Sequence, residues 1–343
     1  MKKQKAKLIF KILLISGTII SLFFVPWIVV KAWILPLPNT IQEQAEEAVS
    51  NGFDGILIYV DLPNKPPKYY TAGWHDKKNK IPAKPNALFK IASINKLYIA
   101  AAITKLVYNN KLSLEKTLAD YLPEVSKHIE NANIITLKML VQHRSGIPNF
   151  TDTKNYWANP KATNTEKLNL ILDLPANFEP DSSYEYSNTN YVLLTEIINK
   201  ELGYPYFEFI QKEILDRLDL KNTFESIKKV NLNRVMSGYH IGYEYDLKTD
   251  DIGMVSTIED TGIFLRALNS GSLFDANEKE LYATLYEFEH KGWVPGYQSI
   301  AKYHTDLDAV VVQFTNTTDA NLYYWNLADV EYMRIIKILK KQL

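Results

Sequence analysis

Residues 89–108 read FKIASINKLYIAAAITKLVY, and the rest of the chain falls into place around them. The alanine-rich, 3.6-periodic composition predicts a helix over Asn95–Tyr108, with Asn109 and Asn110 as its stop signal. Ser93 and Lys96 stand three residues apart at its leading end. Positions i and i+3 share a helix face, so this spacing puts a hydroxyl beside an amine. A serine hydroxyl is a poor nucleophile near neutral pH and needs a base next to it. Lysine serves as one where an apolar setting disfavours its ammonium form. A serine at the first turn also gains from free backbone N–H groups and the positive end of the helix dipole. The Ser-x-x-Lys pattern recurs at Ser113/Lys116, Ser226/Lys229 and Ser299/Lys302. Ser93/Lys96 is distinguished by its apolar flanks, Phe89–Ala92 and Leu97–Ile103, whereas Glu115 and Lys228 sit inside two of the other matches.

Upstream, Gly55–Asp61 and Tyr69–Trp74 are β-rich runs joined by Pro63, Asn64, Pro66 and Pro67, which predicts a hairpin. Downstream, 112–220 reads as mainly helical, broken by Pro and Asn clusters at 148–160 and 175–189. From Gly296 the pattern returns to strands, Tyr297–His304 and Ala309–Thr315, followed by an amphipathic helix over Asn326–Leu343. Strands at both ends and helices between them predict an α+β fold: an antiparallel sheet built from N- and C-terminal strands, flanked by helices, with a large mainly helical insertion.

The 343 residues carry zero formal net charge, but residues 1–35 hold six lysines and no acid, leaving 33 basic against 39 acidic side chains elsewhere. A mildly acidic body without a basic stripe argues against a nucleic-acid partner. The absence of cysteine excludes disulfides, thiolate metal sites and a cysteine nucleophile. The six histidines include no His-x-x-x-His pair, so neither a metal nor another cofactor is expected. Lys2, Lys3, Lys5, Lys7 and Lys11 precede Ile12–Val30, a charge-free run of nineteen residues. As one helix it would span roughly 28 Å, enough for a bilayer core. The expected organisation is a cytoplasmic basic segment (1–11), one N-terminal transmembrane helix (12–30, retained rather than cleaved), a linker (31–38) and an extracytoplasmic domain (39–343). Trp27 and Trp33 would sit near the outer interface.

Two further clusters carry chemistry. In Tyr186-Ser187-Asn188, an extended backbone projects Tyr186 and Asn188 to one side. A tyrosine hydroxyl can shuttle protons to a serine or a leaving group, and an asparagine amide both donates and accepts. The second cluster is His290-Lys291-Gly292-Trp293, before a Pro295-Gly296 turn. A glycine at a strand edge permits close backbone approach by a substrate, and an N–H there, paired with that of Ser93, would form an oxyanion hole.

Taken in order, Ser93-Ile-Asn-Lys96, Tyr186-Ser-Asn188 and His290-Lys-Gly292 resemble the three signature motifs of serine β-lactamases and penicillin-binding proteins. The branch most like it is that of class C β-lactamases and D-alanyl-D-alanine carboxypeptidases, which also holds esterases and D-aminopeptidases. Residues 112–123, 135–148, Phe178-Glu-Pro180, 253–257 and Pro295-Gly-Tyr297 fit as well, so the resemblance covers about 40–325. It implies Ser93 as acylated nucleophile, Lys96 as its proton partner and Tyr186 as general base and acid. Asn188, His290, Gly292 and Trp293 become substrate-binding, with the N–H groups of Ser93 and Trp293 as oxyanion hole; His143–Pro148 packs beneath. His290 stands where lysine is common, Lys291 where a hydroxyl is, and Asp181 where glycine is frequent. The imidazole is only partly charged near neutral pH, which weakens carboxylate recognition. The implied activity is hydrolysis of D-alanyl-D-alanine-type peptides, amides or esters; a small-ester esterase and a silent membrane-anchored sensor are the alternatives.

Overall fold

In GILIYVD, residues 55–61, the even and odd side chains face opposite ways, and both sets are apolar. A strand of that kind must lie between two cores. The structure, a computed structural model, describes residues 2–343 and places it so. Leu57 and Tyr59 join the larger core; Ile56, Ile58 and Val60 join a second one. The strand β1 (Gly55–Asp61) pairs with β2 (Lys68–Asp76), which pairs with β3 (Ile81–Pro82). From the other end of the chain come β4 (His290–Val294), β5 (Tyr297–His304) and β6 (Ala309–Thr315). The antiparallel order is β3–β2–β1–β6–β5–β4, with Tyr59 opposite Val312 at the seam between the two halves. Pro295 and Gly296, the latter at φ 84°, make the tight β4–β5 turn that proline-glycine favours.

The expected α+β architecture is therefore present. Helices α1 (Lys2–Leu22), α2 (Trp27–Ile34) and α3 (Ile41–Ser50) precede the sheet. The second core lies between the sheet and α2, α3 and the C-terminal helix Tyr323–Gln342. Against the other face lies α6 (Ile258–Ser270), and α4 (Asn95–Tyr108) and α5 (Asn188–Leu202) pack on each other in the same core. Helix α4 is buried along Lys96–Leu106 and forms the axis of the helical lobe. The insertion is less helical than expected: between Leu112 and Asn188 only four- and five-residue α-helices and short 3₁₀ turns occur. Capping boxes at Thr117, Thr136 and Thr163 start several of them, and the Pro- and Asn-rich connections end them early.

The expected single transmembrane helix over 12–30 is not formed. Pro26 has no N–H to give and disfavours helical backbone at Val25. The chain breaks after Leu22, and α2 leaves at 82° to the Gln4–Leu22 segment. Among the described residues no single helix is long and apolar enough to cross a membrane, although the bent pair together is. Residues 31–38, expected as a linker, are tied to the domain: Ala32 is fully buried, and Arg334 donates to the carbonyls of Leu35 (2.7 Å) and Pro36 (2.9 Å).

Candidate active site

Ser93 lies in a single 3₁₀ turn, Ala92–Ile94, that feeds into α4. Ala92, just before it, has φ 49°, a left-handed conformation that a side chain with Cβ resists and that clusters at functional turns. The Ser93 Oγ is 3.2 Å from Lys96 Nζ and 2.8 Å from Tyr186 Oη. Lys96 is almost wholly buried, and its ammonium lies 5.0 Å from the centre of the Tyr186 ring and 5.3 Å from that of Tyr191. Two potential proton carriers thus touch one hydroxyl.

Tyr186 arrives on an extended stretch, and Asn188 is already the first residue of α5. The Lys96 Nζ donates to Asn188 Oδ1 at 2.8 Å. The Asn188 Nδ2 reaches Asn149 Oδ1 and Thr151 Oγ1, both at 3.3 Å. In this geometry Asn188 orients the lysine, with its whole amide engaged by protein, rather than standing free for a substrate. Asn149 and Thr151 escaped the sequence reading, since an asparagine after a proline signals only a turn.

His143 packs beneath, as the sequence suggested. Its ring lies 4.5 Å from that of Tyr186, and its Nδ1 accepts the Ser187 N–H at 3.2 Å. Burial, then the charge of Lys96, pushes its pKa down to about 3, so the ring is neutral. Asp181 has φ 65°, which accounts for glycine being frequent at such a place; here Arg144 holds its carboxylate.

The strand β4 forms the opposite wall and is an edge of the sheet. Gly292 is needed there for a reason other than substrate approach: a Cβ would lie 2.5 Å from the Ile91 carbonyl oxygen and 2.9 Å from Ala92 Cβ. The glycine lets the nucleophile turn pack directly on the strand. His290 makes contacts that determine its tautomer. Its Nδ1 faces the Lys291 carbonyl oxygen at 2.5 Å, which only accepts, so Nδ1 carries the hydrogen. Nε2 then accepts from the Tyr286 hydroxyl at 2.9 Å. Burial, with repulsion from Lys96, pushes His290 down to about 4. Lys291 points the other way, both carboxylate oxygens of Asp329 lying 2.7 Å from its Nζ. Motif three therefore presents no free cation. Tyr286 carries no sequence signal, because it caps the helix ahead of the strand and belongs to no motif.

Ser93, Lys96, Tyr186, Asn188, His290 and Trp293 line one cleft of about 1190 Å³, and Gly292, expected to bind substrate, is not part of its wall. Trp157 and Trp293 meet edge to face across it at 5.3 Å, and the Trp293 indole N–H has no partner. Lys167, Lys228 and Lys229 line it too, on other elements, with Lys228 paired to Asp251. Among the described residues no cluster of three or more His, Asp or Glu could hold a metal.

A sequence profile for the family described as Beta-lactamase matches residues 40–323. Penicillin-binding protein 4* of Bacillus subtilis (strain 168) is 26% identical over 220 residues, 62% of this chain and 48% of that protein. Protein flp of Staphylococcus aureus (strain MW2) is 26% identical over 233 residues, 64% of this chain and 45% of that protein. The chain thus spans about half the length of the curated relatives it matches. A crystal structure of D-amino acid amidase from Ochrobactrum anthropi SV3, complexed with L-phenylalanine, superposes with a TM-score of 0.78 at 24% identity, covering 88% of this chain and 98% of the other. A penicillin binding protein from Bacillus halodurans gives a TM-score of 0.72 at 19% identity, covering 85% and 99%.

Proposed function

The chain belongs to the Beta-lactamase family and is a serine hydrolase of that family, and we propose that it forms an acyl-enzyme on Ser93 and cleaves amide or ester bonds whose leaving group carries no carboxylate. The observation that carries this reading is the double contact on Ser93 Oγ, from Lys96 Nζ at 3.2 Å and Tyr186 Oη at 2.8 Å. The Oγ proton passes to that pair as the oxygen attacks the substrate carbonyl. The oxyanion is received by the backbone N–H groups of Ser93 and Trp293. The pair then returns the proton to the leaving nitrogen or oxygen, and a water activated by the same groups releases the acid.

The leaving-group preference follows from charge. The uncharged His290 and the Asp329-neutralised Lys291 leave the β4 side of the cleft without a partner for a terminal carboxylate. That favours amides and esters over D-alanyl-D-alanine-type peptides with a free C-terminus, in keeping with an amidase among the similar folds. The domain works outside the cytoplasm, a placement supported by the lysine cluster ahead of the apolar run.

Intact-mass spectrometry after treatment with a fluorophosphonate tests the nucleophile: one adduct on the natural chain and none on Ser93→Ala. Full labelling or undiminished hydrolysis in Ser93→Ala would remove Ser93 from the mechanism, and an inert natural chain would favour a silent sensor. Paired D-amino acid amides and carboxylate-terminated dipeptides test the preference. The amide is expected to be favoured by roughly tenfold or more in kcat/KM, the scale of one charged contact. Equal rates, or a faster carboxylate-terminated substrate, would overturn it.

A further inference from the structure

Helix α2 has two apolar faces. The inward one is part of the catalytic domain: Ala32 is fully buried, and Ile28 and Val29 pack into the second core. The outward one has no cover. Trp33 is 71% exposed, Ile34 72% and Trp27 55%, with Lys31 at its edge. Phe23 and Phe24 at the α1–α2 break continue the patch at 83% and 76% exposed. Patches of that kind mark an interaction surface, since water alone does not tolerate them.

Three further features select a lipid surface as the occupant. Tryptophan is the side chain that favours the boundary between headgroups and hydrocarbon, and lysine flanks such helices. Helix α1 is exposed from Leu8 to Leu22 with Lys11 as the one charge in that stretch, and Lys5 and Lys7 lie nearer the end away from the domain. Finally, the 82° bend lets α1 dip into the lipid from the end of α2 while α2 lies almost in the membrane plane.

We propose that α2 is a membrane-docking helix whose inner face belongs to the catalytic domain while its outer face seats in the headgroup region of the outer leaflet. The domain then rests on the bilayer through a rigid contact instead of hanging from a tether. Arg334, bonded to the Leu35 and Pro36 carbonyls, and Gln342, bonded to Asn39, remove the slack a tether would need. The active site is thereby held at a fixed height above the membrane. This inference rests on the extracytoplasmic placement proposed above.

The chain has no cysteine, so single-cysteine variants label at one site only. The full-length chain is reconstituted in phosphatidylethanolamine–phosphatidylglycerol vesicles with Ile15→Cys on α1, Trp33→Cys on α2 or Lys212→Cys on the helical lobe. Fluorophosphonate labelling of Ser93 confirms folding of each variant. A water-soluble maleimide is expected to react with positions 15 and 33 about tenfold or more slowly than with 212, as interfacial burial requires. Protection at 15 with free reaction at 33 overturns the docking and leaves only α1 in the lipid. Free reaction at both overturns the docking and removes α1 from the lipid as well. Protection at 33 accompanied by cysteine–cysteine cross-linking assigns the face to a second copy and overturns the lipid assignment.

Discussion

At Ser93 the geometry offers two proton carriers, and their unequal settings distinguish their roles. Lys96 is held by the Asn188 amide oxygen and by two aromatic faces, so its position is fixed from three sides. Tyr186 meets the nucleophile at the shorter distance, and its ring lies against the neutral His143. The hydroxyl of Tyr186 is therefore the group placed to take and return the proton, with Lys96 setting the electrostatic field around it. Tyr186→Phe keeps the ring and its packing and removes only that hydroxyl. Steady-state kinetics should show kcat lowered by about 10²- to 10⁴-fold, the usual worth of a positioned acid or base, with KM little changed. The thermal midpoint should stay close to that of the natural chain. A variant within a few-fold of natural kcat would transfer the proton to Lys96 alone.

Among the elements, the contact between β4 and the Ala92–Ile94 turn determines whether the site assembles. It depends on Gly292, where an added Cβ meets the Ile91 carbonyl, a backbone atom with no rotamer to change. Gly292→Ala must push the turn and its nucleophile away from the strand. Overpacking of this kind destabilises by about 1–3 kcal/mol, readable in a urea melt, and fluorophosphonate labelling of Ser93 should slow along with it. Unchanged labelling would mean that the turn relaxes without moving Ser93. The sequence carried much of this framework. Strands Gly55–Asp61, Tyr297–His304 and Ala309–Thr315 and the helix Asn95–Tyr108 have the limits that the sequence pattern predicted, because each is buried along most of its length. What it did not carry depends on contacts between distant segments. Phe89–Lys90, Thr223–Phe224 and Val255–Ser256 form a sheet of two-residue strands too short for any pattern. The Tyr286 hydroxyl bond to His290 and the Asn149 and Thr151 bonds to Asn188 have no local signature. Pro26 marks the break within the charge-free run, where hydropathy alone gives one continuous span.

For the molecule as a whole, the two ends of the chain are fastened together by a buried polar network. Glu331, fully buried on the C-terminal helix, accepts from Asn51 Nδ2 at 2.9 Å and from Gln44 on α3. One turn on, Arg334 donates to Gln44 Oε1 (2.9 Å) and Glu47 (2.8 Å) as well as to the carbonyls behind α2. Burial raises the Glu331 pKa from an ordinary 4.5 to about 7 despite those donors. The folded chain therefore keeps a proton between those values that the unfolded chain has released. Stability from this group is complete below about pH 4.5 and is lost as pH rises through 7, by about 3 kcal/mol at most. His143 and His290, depressed to about 3 and about 4, act in the opposite sense. Their contribution is complete above an ordinary histidine pKa of about 6.5 and is lost as pH falls toward those values. A wild-type stability curve sums these opposed slopes, so the test must be a difference. Glu331→Gln keeps the shape and removes the titration while leaving both histidines in place. Urea melts at pH 5 and pH 8 should show the stability of the natural chain, relative to the variant, falling by about 2 kcal/mol between them, most of the linkage expected for that shift. A difference independent of pH would mean that Glu331 is ionised throughout, its charge balanced by Arg334.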